Sequence, residues 1–182
     1  MRAKASALGL VLGLIVGLAS CGSTDGSVTA VPAETFGKTI PASGAVAPEG
    51  FRAVTLIVTR PDGTVTYLCV WLADSRELRI KGLTGITDPD LGGKEGMVFR
   101  FEEDTSATFW MKDTMLPLSV AWFDRDGAFI SSTSMEPCPA DSESCPSHAP
   151  AGPYRLALET MKGRLAESGL EPGSRVELGD SC

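Results

Sequence analysis

The sequence predicts a mainly β domain, a small closed or nearly closed β-barrel of about seven or more short strands with two short helices. Short apolar stretches, several of them alternating with polar residues, recur between residues 50 and 182. Turns rich in Gly, Pro and Asp separate these stretches, and only two segments favour helix. Closure of the sheet would remove exposed edge strands, which are an aggregation hazard in all-β proteins.

The expected strands share apolar side chains at alternating positions and are bounded by turn residues. They cover residues 51–59, 64–71, 97–102, 105–111, 118–124, 128–135, 154–160 and 176–178. The first two form a hairpin, because the turn at 60–63 (Arg-Pro-Asp-Gly) combines the fixed φ of proline with the positive φ that glycine allows. A similar turn is expected at 124–127. The Glu-Glu-Asp stretch at 102–104 is expected to turn the chain between two paired strands.

Two segments are expected to be helical. Residues 73–81 contain Arg, Glu and Leu, which favour helix, and Asp74 or Ser75 can cap the N-terminus. Gly82 is expected to end this helix after about two turns. A second short helix is expected within residues 161–170.

The composition is that of a globular chain and argues against nucleic acid as a partner. Of the 182 residues, 43% are hydrophobic and 21% are charged, which is too apolar for a disordered chain. The formal net charge is −7. Because a phosphate-binding surface needs clustered Lys and Arg, no nucleic-acid interaction is expected.

Residues 1–20 are typical of a lipoprotein signal peptide. Arg2 and Lys4 precede an apolar run at 5–18, which is short for a membrane span. Residues 18–22 read Leu-Ala-Ser-Cys-Gly, which resembles the bacterial lipobox. We therefore expect Cys21 to carry acyl chains such as palmitate and to anchor the protein to the cell membrane, facing the extracytoplasmic side. The alternatives are an uncleaved anchor, or ordinary secretion with Cys21 in a disulfide.

The segment after the signal peptide, residues 21–49, is expected to be a flexible tether that begins with the lipidated cysteine. It is rich in Gly, Ser, Thr, Ala and Pro and has few large apolar residues, so it buries too little surface to offset chain entropy. Such a tether has an end-to-end distance on the order of 30 Å. The alternative is an ordered arm on the domain, which itself is expected to span residues 50–182.

The cysteines predict two disulfides. Removing Cys21 from the five cysteines leaves four, an even number in an exported domain, and four allow three pairings. Cys138 and Cys145 flank a short polar loop and are the natural local pair. Cys69 and Cys182 would then pair and fasten the C-terminal end of the chain. A metal site is not expected, because there is one histidine and no Cys-x-x-Cys motif.

The residues also resemble a known family, domain of unknown function family 192, which is bacterial and archaeal and is described as a small β-barrel. The resemblance covers most of residues 53–178. It is carried by Arg-Ile-Lys-Gly-Leu at 79–83, Glu-Gly-Met-Val-Phe at 95–99, Phe-Trp-Met-Lys-Asp-Thr at 109–114, Leu-Pro-Leu at 116–118, Phe-Asp-Arg-Asp-Gly at 123–127 and Tyr-Arg-Leu-Ala-Leu-Glu at 154–159. The resemblance implies the barrel fold but no established activity.

Four positions depart from the pattern of this family. Thr84 stands where Met is usual, and Ile86 replaces an arginine. Asp113 stands where the central motif usually has Asn, and Ser119 replaces an acidic residue after Pro-Leu. All four lie in the region where we expect the site.

The candidate binding residues surround a polar loop between two apolar runs at 108–124. They are Arg79, Trp110, Lys112, Asp113, Thr114 and Glu159. Arg and Lys beside an indole could hold an anionic or sugar-like small molecule or an envelope component by ion pairing and stacking. The alternative is structural: Trp110 fills the core, Arg79 pairs with Glu159 or Asp113, and Thr114 bonds the turn.

No catalytic constellation stands out, and no cofactor is expected. His148 is the one histidine, and no Gly-x-Ser-x-Gly motif accompanies it. We therefore expect a membrane-anchored extracytoplasmic lipoprotein that binds a ligand or acts as an envelope accessory. The alternative is an extracytoplasmic hydrolase of carbohydrate or peptide that acts through a polar cluster around Lys112 and Asp113.

Overall fold

A computed structural model describes residues 47–182, which form nine strands and two short helices. The strands are β1 (Arg52–Thr59), β2 (Val65–Ala73), β3 (Met97–Thr105), β4 (Phe109–Trp110), β5 (Leu118–Phe123), β6 (Phe129–Met135), β7 (Ser147–His148), β8 (Tyr154–Met161) and β9 (Arg175–Ser181). The helices are α1 (Arg76–Lys81) and α2 (Arg164–Glu167). Within this part of the chain, no helix is long and apolar enough to span a membrane. The signal peptide, Cys21 and most of the predicted tether lie outside the described residues.

Seven strands form one sheet in the order β6-β5-β8-β3-β2-β1-β9, and β4 pairs with β7 in a separate two-stranded sheet. Neighbouring strands are antiparallel except β2 and β3, which run parallel with Trp71 opposite Met97. A parallel pair needs a crossover connection, and here α1 and the loop after it provide the crossover. This connection places Arg79 of α1 against Arg100 and Phe101 of β3.

Both faces of the sheet are buried, so the domain has two apolar cores. All six residues of β5 are buried. Because successive side chains of a strand point to opposite faces, Trp122 enters one core and Phe123 the other. The core that contains Trp122 also includes Phe99, Met111 and Tyr154, and it underlies the candidate site.

The mainly β prediction is confirmed, but closure of the barrel is not. The outer strands of the sheet, β6 and β9, meet at a single bridge between Ala128 and Arg175. There, the Val176 amide donates to the Gly127 carbonyl at 2.8 Å. Gly127 has a φ of 76°, and a Cβ at this position would collide with the backbone of Val176, so glycine makes the approach possible. Along the rest of their described length, the two outer strands are not paired with each other.

The predicted turn at residues 102–104 is wrong. These residues continue β3, which runs to Thr105. Asp104 makes ion pairs with Arg155 at 2.9 Å and with Arg125 at 3.5 Å, so its charge serves cross-strand pairing. The segment that was expected to pair with β3 forms β4, which pairs instead with β7, with Phe109 opposite His148.

The structure contains both predicted disulfides. Cys69 of β2 bonds Cys182, and Cys138 bonds Cys145, each with Cα atoms 5.9 Å apart. The first bond fastens the last residue of the chain to the central part of the sheet. The second closes the polar loop that follows β6.

Candidate functional site

A cavity of about 500 Å³ lies between α1, β3, β4 and β8. Five aromatic side chains line it, and Arg76 and Arg79 of α1 also belong to the lining. Ligand sites in proteins are typically concave and apolar with a few convergent polar groups. This cavity has that character, and it lies beside the stretch at 108–124.

Helix α1 positions the cationic side of the cavity. Ser75 caps the helix by accepting a hydrogen bond from the Leu78 amide at 3.2 Å, as one of the two predicted caps. One guanidinium nitrogen of Arg79, Nη1, donates to the carbonyl oxygens of Asp74 at 3.0 Å and Arg100 at 2.8 Å. The guanidinium carbon lies 4.7 Å from the centre of the Phe101 ring. These contacts fix the side chain at the wall of the cavity.

The aromatic wall is built from edge-to-face contacts. The ring centroids of Phe99 and Phe109 are 5.0 Å apart, and those of Phe101 and Tyr154 are 5.2 Å apart. The Tyr154 hydroxyl donates to the Ala107 carbonyl at 3.0 Å. Burial raises the pKa of Tyr154 well above its ordinary value, so this phenol remains neutral at physiological pH.

Glu159 is the one acidic residue that lines the cavity. It lies on β8 between Met97 of β3 and Val120 of β5, and only 5% of its surface is exposed. Within residues 47–182, its carboxyl group makes no ion pair and no hydrogen bond. Burial raises the pKa of Glu159 to about 8. The side chain is therefore mostly protonated at neutral pH and can donate a hydrogen bond.

Four of the six candidate binding residues line the cavity: Arg79, Trp110, Thr114 and Glu159. The expectation that Trp110 fills the core is wrong, because 64% of this side chain is exposed. Arg79 pairs with neither Glu159 nor Asp113 but with backbone carbonyls. Trp122, the other tryptophan of the stretch, is 1% exposed and belongs to the core.

Lys112 and Asp113 do not line the cavity. The Lys112 ammonium donates to the carbonyls of Ala140 at 2.6 Å and Ser142 at 3.1 Å, inside the loop that the Cys138–Cys145 disulfide closes. Asp113 has a φ of 57°, and its amide donates to the Cys138 carbonyl at 2.9 Å. Both residues therefore stabilise the loops behind the cavity.

Sequence reasoning missed several lining residues, although their spacing carried a signal. Arg76, which was missed, lies three residues before the predicted Arg79, and this spacing places both on one face of a helix. Phe99 and Phe101 are two apart, which places them on one face of a strand. Tyr154 opens β8, and its position depends on a tertiary contact that no local pattern shows.

A second depression of about 560 Å³ is lined by four arginines: Arg100, Arg125, Arg155 and Arg175. Its cations already have partners. Arg125 and Arg155 share Asp104, Arg100 pairs with Asp74 at 3.6 Å, and Arg175 donates to the Asp126 carbonyl at 2.6 Å. Across residues 47–182, no group of three or more His, Cys, Asp or Glu is placed to hold a metal ion. The aromatic cavity is therefore the stronger candidate site.

Known proteins with a similar sequence or fold were found for this chain. The family model of domain of unknown function family 192, described as "Uncharacterized ACR", matches residues 57–178. A solved protein of unknown function from Novosphingobium aromaticivorans DSM 12444 has a TM-score of 0.59 and 29% identity, covering 75% of this chain and 94% of that one. A proposed transcription regulator from Sinorhizobium meliloti 1021 has a TM-score of 0.58 and 27% identity, covering 74% and 98%. No protein with a curated description matches.

Proposed function

The chain belongs to domain of unknown function family 192, and we propose that this member is a membrane-anchored extracytoplasmic lipoprotein whose aromatic cavity binds a small ligand. The proposal depends mainly on the position of Glu159 in this cavity. Its carboxyl group is nearly buried, makes no hydrogen bond within residues 47–182 and lines an open cavity where a ligand could pair with it. Its position among aromatic rings is typical of a binding site.

The scaffold suits this role. Two apolar cores fix β3 and β8, the strands that carry Phe99, Phe101 and Glu159. The bridge between Ala128 and Arg175 supports a nearly closed barrel as the supporting architecture. Residues on rigid strands hold a binding geometry more accurately than residues on loops.

Ligand binding is tested by a screen of small molecules against residues 47–182, with thermal unfolding as the readout. A compound that binds the native state raises the apparent unfolding temperature. Trp110 gives a second readout, since its exposed indole at the mouth of the cavity should change fluorescence when the cavity fills. The control is Ala107→Phe, which places a ring at an exposed position of the lining. The proposal fails if every stabilising compound raises the unfolding temperature of this control as much as that of the wild type.

The lipid anchor is supported by the lipobox-like residues 18–22 and is tested separately. Cys21→Ala removes the thiol that would be acylated, so the protein should move from the membrane fraction to the soluble fraction. Ser23→Ala, which lies outside this motif and leaves the cysteine in place, is the matched control. Unchanged membrane fractionation of the Cys21→Ala protein would contradict the lipoprotein assignment.

The hydrolase alternative, which would act through Lys112 and Asp113, gains no support from the geometry. The Lys112 ammonium donates to two backbone carbonyls, and neither residue lines the cavity. A general base or acid must reach the reacting group. We therefore propose binding rather than hydrolysis.

A further inference from the structure

We infer that the cavity takes a small amphipathic anion, with an aromatic or alkyl body against the phenylalanine rings and an acidic head group bound by Arg76 and Arg79. This inference rests on the proposed function and names the ligand class for the same site. It follows from the distribution of charge around the cavity, from the free hydrogen-bonding groups of Arg79 and from the environment of Glu159.

The charge at the cavity is opposite to the charge of the whole chain. The chain carries a net charge of −7, yet α1 contributes Arg76, Arg79 and Lys81 to the lining, against the single acid Glu159. Lys81 is already engaged, because its ammonium donates to the Glu49 carbonyl at 2.7 Å. The two arginines are therefore the cations that remain for a ligand.

Arg79 retains donors for a head group. Its two hydrogen bonds to backbone carbonyls both leave from Nη1. In the described part of the chain, Nη2 and Nε make no hydrogen bond. Carboxylate, sulfonate and phosphate oxygens bind guanidinium in a fork geometry, so Nη2 and Nε of Arg79 remain available to bind such a group.

The body of the ligand would lie against Phe99, Phe101 and Phe109. Exposed Ile80 and Trp110, each 64% exposed, extend this apolar surface at the mouth. Burying a hydrocarbon body here favours binding in proportion to the apolar surface removed from water. A small hydrophilic anion such as inorganic phosphate would lack this contribution.

Glu159 adds a pH dependence to the binding of an anion. When protonated, it adds no negative charge and can donate to an acceptor on the ligand; when ionised, it repels the ligand. In the same cavity, α1 contributes Arg76, Arg79 and Lys81, and β8 contributes the neutral Tyr154. The flanking residues of β3 and β5 are apolar. Anion affinity should therefore fall as Glu159 loses its proton.

The test uses two fluorescent probes with the same aromatic body: 8-anilinonaphthalene-1-sulfonate, an anion, and N-phenyl-1-naphthylamine, its neutral counterpart. We expect the anion to bind about ten-fold more tightly at neutral pH. Arg76→Gln changes an exposed side chain, so folding should be retained. This variant should lower the affinity for the sulfonate by about five-fold and leave the affinity for the neutral probe unchanged. Ala107→Phe should lower the affinity for both probes.

A pH series tests the role of Glu159. In the wild-type protein, sulfonate affinity should fall by about ten-fold between pH 7 and pH 9, while the neutral probe changes little. Glu159→Gln keeps the shape of the protonated acid, so it should bind the sulfonate at pH 7 and lose this pH dependence. Circular dichroism of each variant establishes that it is folded.

The outcomes separate this inference from the proposed function. If both probes bind equally and Arg76→Gln changes neither, the cavity binds ligands without selecting anions, and only this inference is overturned. If sulfonate binding survives Ala107→Phe unchanged, the anion binds elsewhere, which also overturns it. If neither probe binds and no compound of the thermal screen binds, the proposed function fails as well.

Discussion

Asp113 occupies a left-handed backbone conformation, with a φ of 57°, in the middle of the motif at 109–114. Asparagine, the residue that the family pattern usually has here, adopts this conformation readily, and so does aspartate. The departure at this position therefore preserves the backbone. It adds a negative charge, and one carboxylate oxygen, Oδ1, is buried without a hydrogen-bond partner.

The Asp113→Asn variant should therefore be as stable as the wild type, or more stable by about 1 kcal/mol, because it removes a poorly solvated charge. Asp113→Ala should lose about 1–2 kcal/mol, since alanine disfavours positive φ. Asp113→Gly is the matched control, because glycine adopts this φ without strain. Urea unfolding measures all three, and an alanine variant as stable as the glycine variant would contradict the argument.

Glu159 predicts a pH-dependent stability. Burial raises the pKa of its carboxyl group from 4.5 to about 8, so between these values the folded chain binds more protons than the unfolded chain. Its contribution to the free energy of unfolding therefore falls as pH rises through this interval and levels off above about pH 8. At ~1.4 kcal/mol per pKa unit, the loss amounts to several kcal/mol.

The Glu159→Gln variant lacks this titration. Its free energy of unfolding, taken relative to the wild type, should rise between about pH 5 and pH 9. Urea denaturation at a series of pH values measures the difference and cancels the contribution of the other carboxyl groups. A difference that stays constant with pH would show that Glu159 is not buried as an acid.

Among the secondary-structure elements, those defined by local chemistry were predicted well. The hairpin of β1 and β2 follows from the turn at 60–63, and α1 follows from its cap at Ser75 and its end at Gly82. The local disulfide follows from its short spacing. The order of the strands could not be predicted, because the pairing of β1 with β9 depends on the whole chain.

The candidate site was predicted only in part, because its residues are also positioned by contacts between distant parts of the chain. Trp110 looked like a core residue because apolar residues surround it in the sequence, but β4 pairs with distant β7 and leaves the indole exposed. Lys112 looked like a ligand group because it is a cation in a polar loop. Its carbonyl partners lie about 30 residues later, beyond the reach of any local pattern.

The loop between Cys138 and Cys145 should depend on Lys112. Lys112→Met removes two charge-assisted hydrogen bonds, so amide exchange at 139–144 should become faster and stability should fall by about 1–2 kcal/mol. Lys94→Met, which removes a lysine elsewhere, should leave this loop unchanged. If Lys112→Met weakens probe binding without changing exchange in the loop, Lys112 acts in the site and not in the loop.

For the whole molecule, the two disulfides should differ in their effect on stability. Cys69 and Cys182 are separated by 113 positions, whereas Cys138 and Cys145 are separated by 7. In the chain-entropy model, a long loop contributes about 4–5 kcal/mol and a very short one about 2–3 kcal/mol. Paired replacement by serine, followed by urea unfolding, should therefore cost more at Cys69 and Cys182. The reverse ranking would contradict this account.

Because β9 is synthesised after β1, the pairing of these two strands has a consequence for folding during synthesis. Val54 lies opposite Ser181, so β1 obtains its second neighbour only after most of the domain has been synthesised. Until then, one edge of β1 is an unpaired template that can join another chain. A nascent chain truncated before Arg175 should therefore need a chaperone or a binding partner to stay monomeric. Once β9 is made, it pairs with β1 and protects that edge.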